Sequence, residues 1–294
     1  MTGQIADGFR IETKDDLEGV VLEGDGGRAR LVLAPSRGGL ATRLRLGGDE
    51  LFYLDEGTLR DTAKNVRGGN PVLFPSPGQL AGDAFLDAAS GKRGELKQHG
   101  FARNLPWDVT ATRVGAHASV TVTLASTAAT RASYPWDFLA DYTYTLDAER
   151  LRIDMVFENR SPGPMPFGAG FHPYFHVPQA AKARAAIGTG ATRAFDNVTK
   201  ADVPVTRIDL TGKEVDLHLH DHGAVPCTLT LPDRTITLRG SPEFSQWVVW
   251  TLEGKDFVCV EPWTCPGNAL NTGERLLLLA PGEKRTLWVE IART

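Results

Sequence analysis

Two neighbouring stretches, "DYTYTL" (Asp141–Leu146) and "LRIDMVF" (Leu151–Phe157), decide the fold class of this chain. In both, apolar or aromatic residues alternate with polar ones, and a period of two places successive side chains on opposite faces of a strand. The same signature, or an enrichment in β-branched and aromatic residues, recurs in "SVTVTL" (Ser119–Leu124), "RTITL" (Arg234–Leu238) and "TLWVEI" (Thr286–Ile291), with turn formers between the runs.

Almost nothing repeats at 3.6 residues. The best helical candidate is "QAAKARAAI" after Pro178, which is short and weakly amphipathic. No linker, charge block, low-complexity tract or long-period repeat divides the 294 residues. The expectation is an all-β protein, a large single-domain antiparallel β-sandwich over residues 1–294.

Bulk properties narrow the function. A formal charge of -4 and a pI near 6.0 give no basic excess for nucleic acid or an anionic membrane, so the expected partner is a small molecule. The opening "MTGQIADGFRIETKDD" lacks a basic start followed by an apolar core, and no apolar run approaches a membrane span, so a cytoplasmic location is expected. Cys227, Cys259 and Cys265 lack close pairing and read as reduced packing residues.

Gly68–Arg103 is dense in Gly and Pro with few strand runs. A long irregular stretch in a compact domain reads as a binding loop. Three further features carry candidate chemistry. In "FGAGFHPYF" (Phe167–Phe175), strand geometry sets Gly168, Gly170 and His172 on one face, as if a ligand lay close across the backbone, and Pro173 holds His172 extended. The alternative is a core histidine satisfied by hydrogen bonds.

In "DFVCVEPWTCPG" (Asp256–Gly267), Glu261 ends a run that is apolar on both faces, as in a buried central strand. Burial there raises a carboxyl pKa, which is how a general base near neutral pH is made, unless the residue is simply paired with an arginine. Trp263 offers a flat apolar face of the kind sugar rings favour. In "KQHGFARNLPW" (Lys97–Trp107), His99, Arg103 and Asn104 form a donor-rich turn suited to hydroxyls or an anion.

Together these fit a site that moves protons without covalent or redox chemistry. Neither a phosphate-binding loop of the GxxxxGK[ST] type nor a GxSxG elbow is present, and no cofactor is expected. "HLHDH" (His218–His222) could present His218, His220 and His222 on one strand face as a metal mimic. Its polar setting reads instead as an exposed strand end without a fourth ligand, so no metal is expected, and Asp221 is a candidate acceptor for a sugar hydroxyl.

At these residues the chain resembles the aldose 1-epimerase (mutarotase) superfamily, and in particular its bacterial branch near the hexose-6-phosphate 1-epimerases. "GNPVLFP", "HGFARNLPW", "GFHPYF", "VVWT" and "VCVEPWT" follow in that order from about Gly69 to Pro266, and "LAPGEKRTLWVEI" fits the closing strands. The resemblance implies a galactose mutarotase-like supersandwich with the sugar on a concave sheet face. It also implies that His172 protonates the ring oxygen, Glu261 takes the anomeric proton, and His99 bonds the sugar near C1.

Two departures stand out. Many relatives carry Asn-Arg after the "FP" motif, where this chain has Gly78 and Gln79, so Gln79 or Arg103 is the candidate to take that arginine's place in binding substrate. Asn268 stands where relatives often have aspartate, which should alter the rim of the site. Arg67 in "NVRGGNP", with Lys64, Lys92, Arg93 and Lys97 nearby in sequence, resembles the hexose-6-phosphate branch.

The expected activity is interconversion of hexose anomers. The alternatives are a glucose-6-phosphate (hexose-6-phosphate) 1-epimerase and a non-catalytic carbohydrate-binding protein on the same scaffold. Glycoside hydrolysis would want two flanking carboxylates where one is evident. The expected partners are a sugar or sugar phosphate, with the chain as a monomer or weak homodimer.

Overall fold

The computed structural model describes residues 2–14, 17 and 19–294. Met1, Asp15 and Asp16, part of the opening stretch read above for a leader, lie outside them. Among the described residues, antiparallel strands dominate and the helices are short. None is long and apolar enough to cross a membrane.

The alternating stretches form adjacent strands of one sheet. Phe138–Leu146 and Arg150–Asn159 pair with Tyr142 opposite Met155 and Tyr144 opposite Ile153, and every second residue is buried. This fixes the register, because a slip by one residue would turn the whole apolar set toward solvent. The sheet is eight-stranded, and the chain's last strand, Lys284–Arg293, lies at its middle between Arg150–Asn159 and Thr235–Gly240. A separate six-stranded sheet runs in sequence order from Thr2–Ala6 to Asp49–Glu50.

The second eight-stranded sheet carries the site. Its strands are β1 (Val72–Leu73), β2 (Gly170–Phe171), β3 (Tyr174–His176), β4 (Arg193–Asp196), β5 (Ala201–Pro204), β6 (Glu214–Leu219), β7 (Gln246–Leu252) and β8 (Phe257–Trp263), where β3 pairs off the main path. The main path runs β5-β4-β6-β7-β8-β2-β1.

All seven residues of β8 are buried, as a run apolar on both faces requires. Val258 and Val260 join the main core, which also holds the packed rings of Phe74, Phe138, Phe157 and Phe167. Cys259, Glu261 and Trp263 point to the opposite face.

The best helical candidate, "QAAKARAAI", does not form an α-helix. Gln179–Arg184 is a 3₁₀ turn and Ala186–Gly188 a strand. Lys182 explains the difference, because it is buried and donates to Thr251 Oγ1 and the Leu252 carbonyl, both at 2.7 Å. That anchor draws the segment's polar side chain inward, against the pattern of a surface helix.

Candidate active site

The free face of the β4-β6-β7-β8 sheet forms the floor of a cleft of about 930 Å³, and the Gly68–Arg103 stretch supplies one wall through Gly78–Gly82, Gln98, His99 and Arg103. A cleft of this size is within the range of small-ligand sites.

On the floor, His172 Nε2 lies 3.4 Å from Glu261 Oε1. Glu261 is 1% and His172 8% exposed. Glu261 is held on β8, and its other oxygen accepts the indole N–H of Trp263 at 3.1 Å. His172 follows β2 directly. Its amide donates to the Pro71 carbonyl, and its ring stacks on Tyr174 at 4.7 Å.

Burial drives the His172 pKa down to about 3, helped by the nearby Arg103 cation. Burial, with the charge of Asp216 behind it, pushes the Glu261 carboxyl well above its ordinary value. Both shifts disfavour charge, so the pair is best described as one unit sharing a proton.

His99 stands edge-on to both His172 and Trp263, each at 5.5 Å. Its Nδ1 accepts the Gly78 amide at 3.0 Å, and its own amide donates to the Gly78 carbonyl at 2.7 Å. Because Nδ1 is an acceptor and burial holds the ring's pKa well below normal, the hydrogen sits on Nε2 as a fixed donor. Gly78 has φ +73, and a Cβ there would meet Gly267 Cα at 2.6 Å, so this interlock requires glycine.

Arg103 donates to the Gln98 carbonyl at 2.7 Å, while its Nε is buried without a hydrogen-bond partner among the described residues. Arg67 lies over the ring of Trp250 at 5.9 Å, and both line the cleft. Gln79 and Asn268 are on the rim, where Asn268 Oδ1 accepts the Ala81 amide at 3.0 Å.

Several expectations need correction. Gly168 and Gly170 do not clear space for a ligand. A Cβ on Gly168 would meet Cys265 Sγ at 2.4 Å, and one on Gly170 would meet the Pro262 carbonyl at 2.9 Å, so the glycines admit other parts of the chain. Asp221 is not among the cleft residues. Its carboxylate accepts from Thr192 and Arg193 in a separate shallow depression.

"HLHDH" is not simply an exposed strand end. His222 is buried against Trp247, and His218 belongs to the cleft floor. His218 Nε2 lies 3.2 Å from Asp216 Oδ1, and its Nδ1 lies 3.1 Å from Gln246 Nε2. Asp216 also accepts from Asn197 at 2.7 Å. Burial alone would raise the Asp216 pKa, but the His218 and Asn197 hydrogen bonds outweigh it and keep the carboxylate charged.

Asp216, His218, Gln246 and Trp250 were therefore missed as cleft residues. The available signal was the alternation in "EVDLHL", which sets Glu214, Asp216 and His218 on one face.

The fold is an all-β supersandwich with a buried His–Glu pair in a cleft on the free face of one eight-stranded sheet. A family model described as aldose 1-epimerase matches residues 57–292, and the chain belongs to the aldose 1-epimerase family. It is 36% identical to the Slr1438 protein of Synechocystis sp. PCC 6803, whose crystal structure superposes with a TM-score of 0.89 over 93% of this chain and 94% of that one.

A curated Salmonella typhimurium relative named "Putative glucose-6-phosphate 1-epimerase" is 30% identical over 64% of this chain, and the match spans 57% of that relative's length. The galactose 1-epimerase structure from Lactobacillus acidophilus NCFM shares the fold at 15% identity, with a TM-score of 0.72 over 100% of this chain and 98% of that one.

Proposed function

We propose that this protein interconverts the α and β anomers of a hexose, with Glu261 as base and His172 as acid. The observation that carries the reading is the 3.4 Å approach of two buried, oppositely shifted groups on the floor of a sugar-sized cleft.

In the form of the pair that carries its shared proton on His172, Glu261 removes the proton from the anomeric hydroxyl as the bond between C1 and the ring oxygen breaks, and His172 delivers its proton to that oxygen. The C1 carbonyl forms, the C1–C2 bond rotates, and the reverse transfers close the ring as the other anomer. The pair begins and ends each passage with one proton, so no charged sugar intermediate is needed. Each partner is worth typically ~10² to 10⁴ in rate.

The Nε2–H of His99 is placed to donate to a sugar oxygen beside the pair. The far end of the sugar meets Asp216 and His218. Glu261 is opposite Val248, and Val248 is opposite His218, so two strand spacings, about 10 Å, separate the acid–base end from the polar end.

A phosphorylated hexose is the second reading. Arg67 and the unpaired Nε of Arg103 place guanidinium donors at the same cleft, and such forks suit phosphate oxygens. The name carried by the Salmonella relative agrees with this.

The test is saturation-transfer NMR of anomer exchange at equilibrium, with glucose, galactose and glucose 6-phosphate measured separately. Faster exchange of the ester alone, weakened by Arg67→Gln, selects the phosphate reading, whereas faster exchange of free sugars that survives Arg67→Gln selects the free hexose. Sugar binding seen by Trp fluorescence with no faster exchange of any of the three would replace the enzyme reading with a carbohydrate-binding protein.

A further inference from the structure

Beside the acid–base pair is a group that the proposed chemistry does not use. Cys259 is two residues before Glu261 on β8, so its side chain shares the strand face of Glu261. Its sulfur, a ring nitrogen of His172 and a carboxylate oxygen of Glu261 all lie within 4.8 Å of one another, and all three residues are buried. Among the described residues, this is where three such donors converge.

We propose that His172, Cys259 and Glu261 form an inhibitory binding site for zinc, with its fourth position open to the cleft. The donor set is the kind Zn²⁺ takes, with Zn–S near ~2.3 Å and Zn–N and Zn–O near ~2.0–2.2 Å. Tetrahedral donors at those lengths stand roughly 3.3–3.8 Å apart. The three atoms need to close in by about 1 Å, which small side-chain rotations provide.

His172 can make that adjustment. Its Nδ1 is buried without a hydrogen-bond partner among the described residues, so no second-shell acceptor locks the ring.

Charge balance favours the dication in this dry location. On binding, the thiol and the His172–Glu261 pair each release one proton to solvent, and one thiolate and one carboxylate cancel the two positive charges. The complex is then neutral where an isolated ion would be heavily penalised. No electron is transferred. The thiolate also discriminates among metals, because Mg²⁺ and Ca²⁺ prefer sites made only of oxygen.

The bound ion would occupy both residues assigned to proton transfer. The inhibitory consequence therefore rests on the proposed function, but metal binding itself does not.

Co²⁺ titration of the whole protein is the direct test, since a cobalt–thiolate bond gives a charge-transfer absorption that carboxylate and imidazole alone do not. The expected result is one cobalt per chain with that band, displaced by Zn²⁺, lost in Cys259→Ser and retained in Cys265→Ser. Zn²⁺ should slow anomer exchange, EDTA should restore it, Mg²⁺ should have no effect, and Cys259→Ser should exchange normally without metal and need at least tenfold more Zn²⁺ for inhibition.

Absence of the thiolate band in the wild-type protein would overturn the site whether or not the variant folds. Equal zinc sensitivity of the wild type and a folded Cys259→Ser would overturn it as well. If no sugar is turned over, the cobalt spectrum still decides the metal site, so the two failures are distinguishable.

Discussion

The imidazole Nε2 of His172 lies 3.4 Å from the Oε1 of Glu261, although the two residues come from segments far apart in the chain. Neither the acid nor the base is useful alone, because hemiacetal opening removes a proton from one oxygen and adds one to its neighbour. His172→Gln and Glu261→Gln should each lower the anomer exchange rate by about 10²- to 10⁴-fold. The double variant should lose little more than the worse single one, since the groups act as a unit. Full activity in both single variants, measured by saturation-transfer NMR, would remove them from the mechanism.

Acid should destabilise the fold through His172. Burial holds its ring at about 3 against an ordinary 6.5, so the stability from keeping the ring neutral is complete above pH 6.5 and is lost as pH falls through about 3. Glu261 has the opposite sign. Its raised carboxyl contributes fully below its unfolded value and loses that contribution as pH rises through the folded one. In His172→Gln, the fall of unfolding free energy on the acid side of pH 6.5 should be shallower by up to about 1.4 kcal/mol per pH unit. Denaturant unfolding at stepped pH checks this, and an unchanged slope would mean that the ring is not held neutral.

Asp216 should tune the base from across the cleft. Its negative charge is the second cause, after burial, of the raised Glu261 carboxyl. Asp216→Asn removes the charge and keeps the shape, so the acidic limb of the pH–rate profile should move to lower pH. The variant should also bind sugar more weakly, by about tenfold for one lost charged hydrogen bond. A limb that stays in place would show that Asp216 does not act on Glu261.

Gly78→Ala should disturb the site through the backbone. With φ +73 and Gly267 Cα at 2.6 Å from the new Cβ, the substitution should destabilise the chain by ~1–3 kcal/mol. Its amide would also lose alignment with His99 Nδ1. The midpoint of denaturant unfolding reads the first effect, and anomer exchange reads the second. Wild-type values for both would show that the loop relaxes without loss.

The sequence by itself determined the strand class and the local faces. Alternation in Phe138–Leu146 and Arg150–Asn159 is a property of neighbouring residues, and the uniformly apolar run through Cys259 marks a strand covered on both sides. His172, Glu261 and His99 were legible as candidates because each stands out against its own neighbours.

The tertiary structure decided which of these groups meet. His172 finds Glu261 because β2 and β3 both pair with β8, and His99 finds its tautomer because Gly78 reaches its Nδ1, pairings set by long-range packing rather than by neighbouring residues. The same holds for "HLHDH". Its histidines share a local period, but register against β7 sends His218 to the cleft beside Asp216 and Gln246, while His222 turns in against Trp247 and Asp221 stays outside. A period of two fixes only which side of its own strand a residue faces. What it faces depends on the strand across from it, and that contact exists only once distant segments have packed.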